Sequence, residues 1–370
     1  MEGFMQIIRQ IYENTKPLYP IEQFAPAKEI LFIDIETTGL SPKTSGLYLI
    51  GCAFYKAEAL HTIQWFADTP SEERAILTEF FAFAKDFTCL LHYNGKQFDL
   101  PYLAKKAEQF RLVNPLDALY GVDIYQLLKP VKKLLSLTSL RQKAVEDFLQ
   151  IARRDEFDGG QLIPVYQEYA VHNDEKLLSL LLLHNEEDLT GMTKLLTVLH
   201  YLDLIHTPLT FFKARQNTYE DYMGKTRTEA LLSYTFSANI PRPFSTYKEH
   251  LFLACDAKQQ MTFRVPIYEG ALKLFYDNYK DYYYLPAEDS CIHKSVAMSV
   301  DKEYRVNAKK ETCYTRHQGL FLPQFSALVT PCFREEYKTK RYYFEYQNGA
   351  SFPQKVKEEY GRQLLAFFCK

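Results

Sequence analysis

No two cysteines in this sequence are spaced C-x-x-C, and the seven present (Cys52, Cys89, Cys255, Cys291, Cys313, Cys332 and Cys369) are odd in number and scattered. That argues against a disulfide framework or a zinc knuckle and favours a reducing compartment. Long apolar runs are lacking too. The strongest, Leu177–Leu183, is far short of the ~20 residues that a membrane helix needs. The opening residues MEGFMQIIRQ have neither the basic start nor the continuous apolar stretch of a signal peptide. The expectation is a cytoplasmic protein with no membrane partner. There is no G-x-x-x-x-G-K-[ST] loop, which argues against ATP-driven helicase activity, and no G-x-S-x-G or Cys–His nucleophile. Internal repeats and low-complexity tracts are absent.

Net charge is also small, at −2 over 370 residues, but it is unevenly placed. Residues 207–370 carry 24 Lys+Arg against 18 Asp+Glu, whereas the first 206 carry 20 against 28. An acidic first half and a basic second half suit carboxylate chemistry in one and polyanion contact in the other. Ordinary solvated surface explains the same numbers. What is plentiful is aromatic: 28 Tyr and 27 Phe, side chains that build cores and also offer flat faces to bases.

The pattern of elements predicts α/β structure followed by a mainly β region. Residues 4–14 read as a short helix ending before Pro17, within a helical lead-in over 1–29. Ile30–Ile35, Leu47–Tyr55 and Thr62–Phe66 read as strands, Glu72–Ala84 as a helix, and Thr88–His92 as a strand ending at the Asn94-Gly95 turn. A helix through Phe110 opens at Pro101. Asp117–Asp123 reads as turn plus strand, followed by helices to Phe148. Glu175–Tyr201 is the longest helical pattern. This domain is placed at 30–205, a mixed sheet flanked by helices. A basic, Tyr-rich second domain is placed at 206–370. Its strands are read at Met261–Ile267 and Ala271–Tyr276, joined by a Glu269-Gly270 turn, and at Tyr282–Leu285, Ser295–Val300 and Arg341–Tyr346. A helix is expected at 354–368.

Four carboxylates stand out. Asp34 and Glu36 are two apart on a predicted strand, so both leave the same face of the sheet. Two like charges there repel and are costly to bury, and a divalent cation with its preference for hard oxygen ligands removes that cost. The competing reading exposes one at the strand end and has the other cap the next turn. Asp99, just before Pro101, reads by itself as a helix N-cap. On the long helix Leu177, Leu181, His184, Asp188, Met192 and Leu195 form one stripe at i, i+3/i+4 spacing. His184 and Asp188 thus interrupt a core-facing stripe, bonded either to a metal or to each other, while Glu186 and Glu187 fall off it toward solvent.

Phe32-Ile33-Asp34-Ile35-Glu36-Thr37-Thr38-Gly39-Leu40, Asn94-Gly95-Lys96-Gln97-Phe98-Asp99 and His184-Asn185-Glu186-Glu187-Asp188 resemble, in order, the three exonuclease motifs of the DEDD superfamily. With Asp123-Ile124-Tyr125-Gln126-Leu127-Leu128-Lys129 and Gly159-Gly160, residues 30–200 look like the YprB-type RNase H-like branch. The resemblance implies an RNase H-like fold, two Mg²⁺ or Mn²⁺ ions held by Asp34, Glu36, Asp99 and Asp188, and a 3′–5′ exonuclease acting on DNA or RNA. His184 departs from the pattern. A His is expected five positions before the last Asp or a Tyr four before it, and here a His stands four before. As a catalytic residue His184 would take the proton of the attacking water. Thr37, Asn94 and Lys96 are the candidate substrate contacts, with Lys96 more readily read as a surface lysine. A structure-specific endonuclease and a non-catalytic nucleic-acid-binding protein are the alternatives. The Tyr-and-basic runs Lys273–Tyr284 and Lys338–Tyr343 suit either base stacking or amphipathic strands.

Overall fold

The computed structural model describes residues 5–347 and 352–370. The chain divides into two compact units, residues 1–132 with 137–202 and residues 133–136 with 203–370.

Unit one is built on a six-stranded mixed sheet. Its strands are β1 (Gln6–Tyr12), β2 (Ile30–Thr37), β3 (Leu47–Lys56), β4 (Ala59–Phe66), β5 (Cys89–His92) and β6 (Tyr120–Asp123), in the order β1-β4-β3-β2-β5-β6. β1 to β4 pair antiparallel, and β5 and β6 run parallel to β2. The helices are α1 (Glu73–Ala84), α2 (Asp99–Phe110), α3 (Ile124–Leu128), α4 (Gln142–Leu149), α5 (Gly159–His172), α6 (Glu175–Leu195) and α7 (His200–His206), whose residues from Asp203 on belong to unit two. The expected lead-in helix is a correction. Residues 6–12 form edge strand β1, whose seven residues pair with β4 from Gln6↔Phe66 to Tyr12↔Leu60. Pairing to a ready sheet edge outweighs the helical spacing of a segment too short to hold a helix alone. Residue 4 lies outside the described residues.

Alternation along β2 decides what lies on each face. Leu31, Ile33 and Ile35 join the core made with Ile76, Leu77 and Phe80 of α1 and Tyr102 and Leu103 of α2. The alternate positions, Asp34 and Glu36 among them, face the other way. On that side Tyr48 and Phe66 pack with Leu162, Tyr166 and Tyr169 of α5 and Leu181 of α6. α6 begins at an Asp174 cap that accepts the Lys176 amide at 2.8 Å, a strongly favoured way to satisfy a first-turn donor. α5 begins at a capping box between Asp158 and Gln161 and ends at Asn173 in the left-handed region.

Unit two is mainly β. A five-stranded antiparallel sheet holds β7 (Thr210–Glu220), β8 (Thr226–Thr235), β9 (Phe244–Lys248), β10 (Leu251–Cys255) and β11 (Gln260–Pro266), in the order β7-β8-β11-β10-β9. A small closed barrel and a three-stranded sheet follow, and the chain's final helix spans Gln354–Cys369. Two expectations need correction. Glu269-Gly270 is not a turn but lies inside strand Tyr268–Phe275, with Gly270 paired to Gly319. Ser295–Val300 is not a strand; a 3₁₀ turn occupies Ala297–Ser299. The first rests on a Glu-Gly pair, although a glycine also occurs inside strands; the second is a short run where periodicity alone does not separate the states.

Candidate active site

Asp34 and Glu36 project from the carboxyl half of β2 toward α6, one partly buried and one 6% exposed. Asp34 has a fixed partner. Asn185 Nδ2 donates to Asp34 Oδ2 at 2.8 Å, and Gln64 holds Asn185 in turn, donating to its Oδ1 at 3.0 Å and to the Leu182 carbonyl at 2.9 Å. Gly51, which pairs with Asp34 across the β2–β3 ladder, makes room for this. A Cβ there would lie 1.9 Å from Asn185 Oδ1. Among the described residues Glu36 has no such donor. Its nearest partner is His184 Nε2, 3.5 Å from Oε1.

Asp99 opens α2, but it is not the cap: Phe98 holds that position and makes no side-chain capping bond. The Asp99 carboxylate is 8% exposed and lies within the influence of the backbone amides of Asp99 itself and of Ile35 on β2, which pull it down. Burial pushes it up to about 7 against the pull of those amides, and the charges of Asp123 and Asp188 add to the rise. Asp34 lies well above the usual carboxylate range, first because of burial and then because of Asp188, Glu36 and Asp99. Glu36 is raised in the same way, by burial and by Asp188, Asp99 and Asp155. Three segments distant in sequence thus place four carboxylates in one electrostatic neighbourhood.

His184 and Asp188 sit one turn apart on α6 and do not satisfy each other, the Nε2–Oδ2 distance being 3.5 Å. His184 Nδ1 bonds instead to Asp155 Oδ2 at 2.7 Å. Asp155 is held by Lys143 Nζ at 3.1 Å, by Arg153 Nη2 at 3.2 Å and by the Phe157 amide at 3.0 Å. Burial alone would raise the Asp155 carboxyl, but the facing His184 and Lys143 outweigh it and hold it below the usual range. Arg153, its side chain 10% exposed, bridges Asp188 Oδ1 at 2.6 Å and Glu146 Oε2 at 2.9 Å. Glu146 is buried under Gly191 of α6, where a Cβ would lie 2.2 Å from Glu146 Oε1. The expectation that Glu186 and Glu187 face open solvent is overturned. Tyr12 and Gln10 donate to Glu186. Glu187 accepts the amides of Arg154 and Asp155, each at 2.9 Å on Oε2, and so fixes the loop that carries Arg153 and Asp155.

The three candidate substrate contacts lie close in sequence to the site residues Glu36 and Asp99. Thr37 Oγ1 donates to the Gly39 carbonyl at 2.9 Å. Asn94 adopts the left-handed region, and its amide donates to Asp123 Oδ1 at 3.0 Å. Lys96 is exposed. Behind Thr37 the loop is pinned: buried Lys106 reaches the Ser45 carbonyl at 2.6 Å and Glu73 Oε1 at 2.7 Å.

Sequence reading missed Arg153, Asp155, Glu146, Asn185 and Gln64. Gln64 had a visible signal, a polar residue inside the apolar run Ile63–Phe66. Arg153-Arg154-Asp155 had none, being a charged run in an irregular segment whose partners come from α4 and α6. In unit two several side chains of the Tyr-and-basic runs have partners within the unit: Tyr276 stacks on Tyr282 at 5.2 Å, Tyr343 is buried, and Lys273 pairs with Glu336 at 2.7 Å.

The donor atoms of Glu36, His184 and Asp188 lie within 4.8 Å of one another. A single cation with bonds of about 2.0–2.2 Å spans such a gap with little adjustment. Glu36 without a donor and a carboxylate-rich lining complete a set that fits a divalent cation, with Asp34 and Asp99 beside that trio.

With this geometry in view, residues 31–200 match the family model of the RNase H superfamily, and the mixed sheet with its flanking helices is an RNase H-like domain. Solved structures similar to the chain include the family B DNA polymerase of the hyperthermophilic archaeon Pyrobaculum calidifontis, at 16% identity and a TM-score of 0.40 over 49% of this chain and 26% of the polymerase. Another is E. coli exonuclease I in complex with a dT13 oligonucleotide, at 14% identity and a TM-score of 0.32 over 56% of this chain and 54% of the exonuclease. The chain therefore spans about a quarter of the former and about half of the latter. No curated protein matches. Among the described residues no helix is long and apolar enough to cross a membrane.

Proposed function

We propose that the protein is a metal-dependent nuclease that hydrolyses phosphodiester bonds of DNA or RNA, working as a 3′–5′ exonuclease with two Mg²⁺ or Mn²⁺ ions. What supports this reading is that Asp34, Glu36, Asp99 and Asp188, from three segments, feel one another's charge, two of them buried and two partly so, with Arg153 bonded to Asp188. These four carboxylates are the proposed ligands. When bound, the ions lower the pKa of the attacking water and offset charge on the phosphate oxygens. Asn185, braced by Gln64, keeps Asp34 aimed at the site. Arg153 fixes Asp188 through Oδ1 and leaves Oδ2 facing His184, which completes the catalytic group. Thr37, Asn94 and Lys96 line the approach, where Lys96 meets the backbone phosphate.

The test is a cleavage assay on end-labelled single- and double-stranded DNA and RNA, with and without Mn²⁺, alongside a circular single strand. Stepwise shortening from the 3′ end that stops when chelator is added is the expected result. Cleavage of the circle overturns exonuclease action in favour of an endonuclease, and no metal-dependent cleavage of any substrate overturns the nuclease reading.

A further inference from the structure

His184 is the residue whose surroundings the four-carboxylate arrangement leaves unexplained. Its ring is 4% exposed and gripped at Nδ1 by Asp155 at 2.7 Å. Asp155 also receives Lys143, Arg153 and the Phe157 amide. With Nδ1 engaged in this way, Nε2 is the ring nitrogen that faces the carboxylate site. It points between two carboxylate oxygens, Glu36 Oε1 and Asp188 Oδ2, each 3.5 Å away. Carboxylate oxygens crowded in a buried site repel, and a cation between them and Nε2 turns that repulsion into attraction. The second ring nitrogen donating to a fixed carboxylate is also how metal-ligating histidines are oriented.

We infer that His184 binds a divalent cation directly through Nε2, as third ligand beside Glu36 and Asp188, with Asp155 as the positioning residue that turns the ring. This rests on the metal-dependent reading above and changes the role of His184 within it, from proton acceptor to ligand. A mixed nitrogen-and-oxygen set discriminates among ions. Mg²⁺ takes oxygen donors and gives up its waters reluctantly, whereas affinity at nitrogen-containing sites rises along the first-row series from Mn²⁺. This position therefore prefers Mn²⁺ and later first-row ions to Mg²⁺. Arg153 sharpens the arrangement by occupying Asp188 Oδ1 and leaving one oxygen of that carboxylate for the ion.

The experiment uses the full chain stripped of metal and then loaded with Mn²⁺ alone. Pulsed electron paramagnetic resonance reads nitrogen next to the manganese, and calorimetric titrations with Mn²⁺ and Mg²⁺ read affinity. Nitrogen coupling in the wild type, lost in His184→Gln, is expected. His184→Gln should weaken Mn²⁺ binding more than tenfold and Mg²⁺ binding less than threefold. Asp155→Asn should weaken Mn²⁺ binding by about 10–100-fold, the usual cost of removing a carboxylate behind a ligating histidine. Thermal unfolding confirms that both variants fold, and the wild-type spectrum alone tests the inference if one does not. Mn²⁺ bound without nitrogen coupling, or coupling that persists in His184→Gln, overturns the inference and leaves the carboxylate site standing. Failure to bind either ion overturns both.

Discussion

Two buried glutamates, one in each unit, show what separates a structural carboxylate from a functional one. Glu229 of β8 is 4% exposed, and Arg264 reaches it through Nη2 at 2.8 Å and through Nε at 3.0 and 3.1 Å. Asn217 adds a donor at 2.7 Å. Glu36 of β2 is equally hidden at 6% exposure, but it faces a histidine at 3.5 Å and the charges of Asp188 and Asp99. Burial is the same and the counter-charge is not. A buried charge without donors costs several kcal/mol, which a fold tolerates where a ligand supplies what is missing.

The comparison breaks most sharply under amide substitution. Glu36→Gln should lower metal-dependent cleavage on the order of 10³-fold, the scale of losing one electrostatic stabiliser of the transition state. In metal-free protein the same change should raise stability by about 1 kcal/mol or more, because an uncompensated charge has gone. Denaturant titration beside a cleavage assay checks both, and a loss of stability would place Glu36 with Glu229. Next in size is the ion itself. Mn²⁺ at about 100 times its dissociation constant should stabilise the protein by about 2.7 kcal/mol, read as a rise in Tm that chelator reverses.

The pH dependence of the metal-free protein follows from the raised carboxylates. Asp34, Glu36 and Asp99 hold protons more tightly folded than unfolded. Their favourable contribution is thus full below the unfolded values near ~4 and declines as pH rises, for Asp99 through about 7. Asp155 and Glu187 are lowered and work in the opposite sense, losing their contribution only as pH falls below the ordinary carboxylate range. Between pH 8 and 6 the raised groups dominate, so acidification should raise the Tm of metal-free protein. With saturating Mn²⁺ the slope should reverse, since protons then compete with the ion. Unchanged slopes would contradict the burial of these groups.

Smaller effects sharpen the same contrast. Gly51→Ala drives a methyl into Asn185 and should cost about 1–3 kcal/mol of stability, with a fall in activity as Asp34 loses its partner. Restoration of stability by Asn185→Ala in that background checks the cause. Glu229→Gln should cost about 1–2 kcal/mol, since Arg264 is partly solvated, and leave Mn²⁺ affinity unchanged by calorimetry.

Much of this was legible in the residues. The dense apolar run Ile30–Ile35 located a buried strand and the stripe on the helix after Asp174 located a core-facing surface, because burial imposes those patterns directly. The three motifs located the carboxylates. What was not legible follows from contacts without sequence neighbours. The first strand looked helical because its partner, Ala59–Phe66, lies some fifty residues on. Glu187 looked solvated because helical spacing does not reveal a loop folding over it.

The sequence by itself determined which side chains share a face: Asp34 with Glu36 on one strand, and His184 with Asp188 on one helix. Those relations are local, dictated by backbone geometry. Only the tertiary structure decided that the faces meet, that Arg153 and Asp155 enter between them from a loop, and that the His184 ring is held at Nδ1 with Nε2 turned toward Glu36 and Asp188. Donor and acceptor partners across a packed core depend on distance in space, to which spacing along the chain is blind.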